Sequence, residues 1–150
     1  MGRPRGFDEE VVTRAAVRLF AGRAYDGLSV DDLVNGLGVH RNSLYKTFGS
    51  KRGLYLTALR WYLEHEFEPA LAAIEKLAPK DGGRDASLVE RGVLDLLLLA
   101  AVEQAPGDPE VAGLIRGALA RLDDAVGVER ATELLGLRLR ARTGQEASAD

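Results

Sequence analysis

The residues with the greatest chemical potential in this 150-residue chain lie between Ser29 and Lys51. Arginine binds guanine through two hydrogen bonds, asparagine binds adenine in the same way, and both reach base edges in the major groove. Lysine neutralises phosphates, and the helix start predicted at Ser50 offers free N–H groups to another phosphate. The polar residues predicted to lie on one exposed surface here are His40, Arg41, Asn42, Ser43 and Lys46, and the candidate phosphate contacts are Lys46 and Lys51.

Two short helices joined by a tight turn would position these side chains. Ser29 followed by Asp32 resembles a capping box that begins the first of them, and Gly38 lies where the chain must reverse. The second helix is predicted from His40 to Lys46, with Leu44 facing inward and the polar residues exposed. This pattern indicates a helix-turn-helix that binds DNA. The alternative is an ordinary solvated face over two core residues.

Helical periodicity extends over the remaining chain, and neither a strand nor an internal repeat is evident. Asp8 is a predicted helix cap with Phe7 stapled against Val12, and Pro69 should end or kink the fourth helix. The apolar stretch from Leu88 to Gln104 is predicted to be one central helix. Further predicted features are a first helix with apolar residues at Val12, Ala15, Ala16, Leu19 and Phe20, a fourth helix with a buried stripe at Leu54, Tyr55, Ala58, Leu59 and Tyr62, a linker over residues 79–85, a helix start at Asp108 and Pro109, and a break near Gly127.

These elements predict an all-α protein of two parts. Residues 1–50 would form a three-helix DNA-binding domain, joined through a long fourth helix to a short helical regulatory and dimerisation domain within residues 51–150. The last segment, residues 143–150, is expected to be a disordered tail.

Composition excludes several other classes of protein. The chain has no Cys and two His, so disulfides, thiolate zinc sites and Cys nucleophiles are ruled out, and no catalytic motif is present. Glu64, Glu66 and Glu68 flank His65, but a single imidazole favours a solvated acidic face over a metal site. No cofactor and no membrane segment are expected, and the chain is interpreted as a cytoplasmic protein rather than an enzyme.

The formal net charge of −3 is unevenly distributed. Residues 1–60 contain ten Lys/Arg and six Asp/Glu, whereas residues 61–150 contain ten Lys/Arg and seventeen Asp/Glu. A basic first part in an acidic chain is typical of a protein with one end that meets a polyanion. Arg3 and Arg5 flank Pro4 and form a short basic arm that would enter a minor groove; the alternative is a disordered start.

A longer set of residues resembles the DNA-binding domain of the TetR family of bacterial transcriptional repressors over about residues 7–60. The matching segments are Ser29-Val30-Asp31-Asp32-Leu33, Gly38-Val39 and Ser43-Leu44-Tyr45-Lys46-Thr47-Phe48-Gly49-Ser50-Lys51-Arg52-Gly53-Leu54. The resemblance implies that Arg41, Asn42 and Ser43 read bases and that Tyr45 lies against the sugar-phosphate backbone or a thymine methyl. It implies phosphate contacts for Thr47, Lys51 and Ser29.

The resemblance also implies a homodimer that binds a near-palindromic double-stranded operator and is released by a small apolar effector. Trp61, Tyr62 and His65 fall where the family couples its ligand pocket to DNA, although Trp61 and Tyr62 also suit an ordinary core. Candidate dimer contacts on the last two helices are Val111, Ile115, Leu119, Leu122, Leu135 and Leu139, which would otherwise close the monomer's own core. The competing function is a helical protein-interaction module without an effector.

Overall fold

The computed structural model describes residues 7–76 and 86–144, and all regular secondary structure in those ranges is helical. The predicted all-α class is therefore confirmed. The chain divides after Tyr62 into two compact units, each with its own core. The first unit contains α1 (Glu9–Gly22), a 3₁₀ turn (Tyr25–Gly27), α2 (Val30–Leu37), α3 (Arg41–Phe48) and α4 (Lys51–Tyr62).

The first unit is organised around the pairing of α1 with α4. α2 packs against α1, and α3 packs against both α2 and α4. The buried side chains are Val12, Thr13, Ala16, Val17, Phe20, Leu28, Leu33, Leu44, Leu54, Tyr55, Leu56, Ala58, Leu59 and Tyr62. The stripe predicted for α4 is confirmed, and of the apolar positions predicted on α1 three are buried while Ala15 and Leu19 are half-buried. Because α4 completes this core, the structural division falls after Tyr62 and not at the predicted boundary after residue 50.

The second unit begins with helix-like backbone in π geometry. Residues Leu63–Phe67 form a π-helical turn directly before α5 (Glu68–Glu75), in which Pro69 is the second residue. Proline lacks an N–H and its ring crowds the preceding turn, so a regular α-helical hydrogen-bond pattern cannot pass through it. The disruption predicted at Pro69 is therefore present, in the form of this wider turn.

The other helices of the second unit are α6 (Ala86–Glu90), α7 (Asp95–Leu99), α8 (Pro109–Val126) and α9 (Val128–Arg142), with a π-helical segment at Ala100–Gln104. α8 packs against α5 and α9, and α9 also contacts α6 and α7. The single helix predicted from Leu88 to Gln104 is wrong. Gly92 adopts φ +67 and ends α6, a conformation that glycine tolerates and that a continuing helix excludes.

The ends of α8 follow the sequence prediction closely. Asp108 caps the helix by accepting from the backbone N–H groups of Glu110 and Val111, and Pro109 is the first helical residue. Gly127, with φ +86, separates α8 from α9. Both are local features, in which a residue type selects one backbone conformation.

Three of the predicted dimer contacts need correction. Val111, Ile115 and Leu122 are buried within this chain, with at most 3% of their surface exposed, so they close the unit's own core. Leu119 and Leu135 are half-buried and Leu139 is 55% exposed. The basic arm at Arg3 and Arg5, the linker over residues 79–85 and residues 145–150 of the predicted tail lie outside the described residues. Within the described ranges, no helix combines the length and apolar character needed to cross a membrane.

Candidate nucleic-acid interface

The predicted capping box fixes the start of α2. The Ser29 N–H and hydroxyl donate to Asp32 Oδ2 at 2.8 and 2.7 Å, and the Asp32 N–H donates back to Ser29 Oγ at 3.0 Å. The hydrogen bonds from the Ser29 hydroxyl and N–H hold the pKa of the Asp32 carboxyl below its ordinary value. Leu33, fully buried one turn into the helix, attaches α2 to the core. Ser29 therefore has a structural role as a cap at the position where a phosphate contact is predicted.

A tight turn then directs the chain into α3. Gly38 adopts the left-handed conformation, φ 66 and ψ 32, and its N–H donates to the Val34 carbonyl. The reversal lies where the sequence predicts it. α3 begins at Arg41, after His40, and continues to Phe48, two residues beyond the predicted end at Lys46. Leu44 is completely buried and sets which face of α3 points outward.

The outward face of α3 carries the residues predicted to contact DNA. Tyr45 has 38% of its surface exposed, so its ring is accessible on this face. The structure brings the predicted residues of this surface onto one short helix and its first flanking residue. His40, Arg41, Asn42, Tyr45 and Lys46 are exposed, and Ser43 and Thr47 are half-buried. We call this set the α3 face.

Arg41, the residue predicted to read guanine, has a partner in this structure. Its Nη2 donates to Asp31 Oδ1 of α2, and both side chains are largely exposed, at 51% and 73%. The sequence shows Asp31 as an acidic residue of the matching motif at a helix start, and it does not predict this pairing. The available signal was the acidic residue in the first turn of α2, although helix-dipole stabilisation also accounts for an acidic residue at that position.

Lys51 is bound to the 3₁₀ turn. Its Nζ donates to the Tyr25 carbonyl at 2.6 Å and lies 4.0 Å from the centroid of the Tyr25 ring. That ring in turn packs edge-on against Tyr55 at 5.0 Å. The half-buried lysine thus fastens the start of α4 to the turn before α2, and its phosphate contact stays a prediction.

The residues predicted to form a ligand site are placed differently from one another. Trp61 is half-buried at the end of α4 with the Arg14 guanidinium 5.6 Å from its ring, Tyr62 is buried, and His65 is exposed in the π-helical turn. Within the second unit, a surface groove of about 530 Å³ is lined by Val126, Gly127, Val128, Glu129, Arg130 and Glu133. None of these lining residues was predicted to bind an effector. In the described ranges no group of His and acidic residues is arranged to hold a metal ion.

Comparison with known sequences identifies this arrangement. Residues 12–58 match the sequence model of bacterial regulatory proteins of the tetR family. The HTH-type transcriptional regulator YezE of Bacillus subtilis is 36% identical over 138 residues, an alignment that covers 83% of this chain and 69% of YezE. The chain belongs to the TetR family. A second relative of this TetR-family protein, the HTH-type transcriptional repressor BdcR of Escherichia coli, is 41% identical over 68 residues, 45% of this chain and 34% of BdcR.

A solved structure supports the same assignment. A cysteine-substituted variant of the TetR family transcriptional regulator CifR, in complex with 26-bp double-strand operator DNA, is 26% identical with a TM-score of 0.54. The alignment covers 99% of this chain and 79% of CifR. The TetR-family fold, with the helix-turn-helix in its first unit, therefore extends over the described part of the chain.

Proposed function

We propose that this TetR-family protein is a homodimeric repressor that binds a near-palindromic DNA operator and is released by a small-molecule effector. The observation that carries the proposal is the α3 face, five of whose seven hydrogen-bonding side chains are exposed while Leu44 holds the helix on the core. The complex of CifR with its operator supports DNA as the partner. Residues of these types on a major-groove helix supply both base readout and phosphate contacts.

Exposed apolar and small residues on α8 and α9 support the homodimer. Val128, Leu135 and Leu139 recur at helical spacing on one side of α9, and Val128 and Leu139 are 65% and 55% exposed. On α8, Gly113 and Gly117 are exposed, and a methyl group added to either would meet no neighbour. Small residues permit close approach of two helices, and a two-fold axis would make the same patch serve both subunits.

The dimer proposal predicts a change in mass. Leu139→Arg is expected to shift the protein from dimer to monomer at micromolar concentration, because each interface would gain two buried, unpaired charges. Light scattering after size-exclusion chromatography measures the mass. Arg140→Ala, on the neighbouring exposed position of α9, should leave a dimer. A Leu139→Arg variant that retains the wild-type dimer mass would contradict the assignment of this face.

On the α3 face, Arg41 is proposed to read a base and Lys46 to contact a phosphate, so their removal should weaken DNA binding in two different ways. Arg41→Ala should reduce the preference for the bound sequence over a shuffled one by about tenfold, since a bidentate base contact contributes ~1–3 kcal/mol of discrimination. Lys46→Gln should weaken binding to every duplex and lower the salt slope by about 1, as expected for one lost phosphate contact.

Both variants are compared with wild type by titrating labelled DNA at two salt concentrations. The duplexes are the region upstream of the protein's own gene, a sequence selected by the protein from a random pool, and shuffled versions of each. Sequence-selective, salt-sensitive binding supports the repressor. If no duplex is bound at low salt, DNA binding is wrong and the protein-interaction module takes its place. If Arg41→Ala and Lys46→Gln lower the affinity for every duplex by the same factor, the separate roles of base readout and phosphate contact are wrong.

A further inference from the structure

Beside the α3 face, on α2, lies a residue whose charge opposes DNA binding. Asp31, in the first turn of α2, accepts a hydrogen bond from Arg41 Nη2, and its carboxylate is 73% exposed. The neighbouring Asp32 forms the capping box with Ser29, so the cap of α2 does not require Asp31. An exposed ion pair of this kind contributes little to stability, because both charges stay solvated and screened. The effect of Asp31 on folding is therefore small beside the cost of placing a carboxylate near phosphates.

The chemistry of the guanidinium allows Arg41 to keep this partner and still bind a base. Arginine has five N–H donors in a planar fork, and the bond to Asp31 uses a hydrogen on Nη2. The remaining donors are sufficient for guanine O6 and N7, which accept in parallel. A carboxylate on one side of the fork also restricts its rotation, which lowers the entropy lost when the arginine binds a base.

Pairing also reduces the attraction of Arg41 for the DNA backbone. A free arginine gains free energy from any phosphate within reach, and this gain is the same for every sequence. An arginine neutralised by a carboxylate gains little from phosphate, since the approaching phosphate also meets the negative charge of its partner. The gain from a guanine edge depends on directed hydrogen bonds and is retained.

We propose that Asp31 is a specificity-determining residue of this interface. It positions the Arg41 guanidinium and cancels its attraction for phosphates, so that Arg41 contributes to binding only where a base offers acceptors. The inference rests on the proposed DNA-binding function and adds a residue that raises selectivity by lowering affinity for unrelated DNA.

The test compares Asp31→Asn with Asp26→Asn. Asp26 lies exposed in the 3₁₀ turn, so the two variants change the net charge equally. The probes are a duplex selected by the wild-type protein from a random-sequence pool and a shuffled version of it. Asp31→Asn is expected to bind the shuffled duplex about three- to tenfold more tightly, with a salt slope steeper by ~0.9, the value for one new phosphate contact. Its affinity for the selected duplex should change less than twofold, so discrimination, the ratio of the affinities for the selected and shuffled duplexes, falls. Asp26→Asn should leave this ratio unchanged.

A double-mutant cycle separates positioning from simple charge. In the Arg41→Ala background, Asp31→Asn should no longer alter discrimination, because the side chain that Asp31 controls is absent. Three results would each overturn the inference and leave the repressor proposal in place. Asp31→Asn could discriminate between the two duplexes as well as wild type does, or Asp26→Asn could lower discrimination by the same factor. Asp31→Asn could also lower discrimination equally with and without Arg41. If wild type selects no sequence from the pool, the proposed function fails and the role of Asp31 fails with it.

Discussion

Gly53→Ala is expected to destabilise the first unit by about 2 kcal/mol, within the ~1–3 kcal/mol typical of an overpacked core. A Cβ built on Gly53 would lie 1.9 Å from the Phe48 carbonyl oxygen and 3.1 Å from its carbon. Both atoms belong to the backbone, so no side chain can rotate to relieve the contact. The turn that joins α3 to α4 would have to open to accommodate one methyl group.

The same turn carries two interactions that the opening would strain. Ser50 Oγ caps α4 by accepting from the Gly53 N–H at 2.9 Å, and Phe7 stacks on Phe48 with ring centroids 6.4 Å apart. Loss of a serine cap alone costs ~0.5–2 kcal/mol. Because Phe48 is the last residue of α3, we also expect displacement of the α3 face and weaker DNA binding.

Thermal unfolding followed by circular dichroism measures the effect. For a chain of this size, 2 kcal/mol corresponds to a midpoint lower by roughly 4–8 °C. Gly22→Ala is the matched control, since Gly22 ends α1 and a Cβ there would meet no atom within 4 Å. The free energy of unfolding of that control should lie within about 0.5 kcal/mol of the wild-type value. If Gly53→Ala matches Gly22→Ala in stability, the close approach to Phe48 has no energetic consequence.

Gly53 illustrates the difference between features that depend on neighbouring residues, which the sequence predicts, and features that depend on the folded backbone, which it does not. The caps at Asp8, Ser29, Ser50 and Asp108 were predicted because each depends on one side chain and the two or three residues after it. The requirement for glycine at position 53 arises from a carbonyl five residues earlier, brought close by the turn. It has no local signature, although the residue was part of the segment that resembles the family.

Amphipathic stripes carry a different ambiguity. Helical spacing correctly marked Val111, Ile115 and Leu122 as a buried stripe, but periodicity does not say whether the covering surface belongs to the same chain. The structure buries them within their own unit. Val128, at the start of α9, is 65% exposed, so its side chain is not covered within this chain.

The sequence predicts which polar residues lie at the interface, but it does not predict which groups of the same chain they contact. Residue types and the Gly38 turn suffice to place the α3 face, which belongs to a local motif. The pairing of Arg41 with Asp31 and of Lys51 with the Tyr25 carbonyl depends on how α2, α3 and α4 pack together. The sequence pattern alone therefore predicts that Arg41 and Lys51 contact DNA, and it does not reveal that each also contacts a group within this chain.

The break at Gly92 in the predicted Leu88–Gln104 helix is also held by long-range contacts that a local pattern does not reveal. Asp95, the first residue of α7, accepts from Arg138 Nε at 2.6 Å and Nη2 at 2.7 Å and from Arg142 at 3.1 Å. Arg138 also donates to the Val89 carbonyl at 2.8 Å. The Gly92 turn lies against these groups, so α9 fixes the interrupted backbone between α6 and α7. We call this set the Asp95 cluster.

Removal of Arg138 is expected to destabilise the second unit by about 2–3 kcal/mol, because a mostly buried carboxylate loses a bidentate partner. The side chains of Asp95 and Arg138 are only 15% and 19% exposed, so solvent replaces little of the lost interaction. For a chain of this length, Arg138→Ala should lower the thermal midpoint by roughly 5–10 °C. Arg140→Ala, on the same helix but exposed, should shift it by less than about 0.5 kcal/mol.

The Asp95 cluster also predicts a dependence of stability on pH. Burial raises the pKa of the Asp95 carboxyl, but the hydrogen bonds from Arg138 and Arg142 outweigh it and leave the pKa below its ordinary value of 3.8. A carboxyl whose pKa is lowered by folding stabilises the native state above its unfolded pKa, and this contribution is lost as the pH falls through the folded pKa. Wild type should therefore be more stable than Asp95→Asn at pH 7, and the difference should narrow below about pH 4. A difference that stays constant from pH 7 to pH 2.5 would show that the charge of Asp95 does not stabilise this part of the fold.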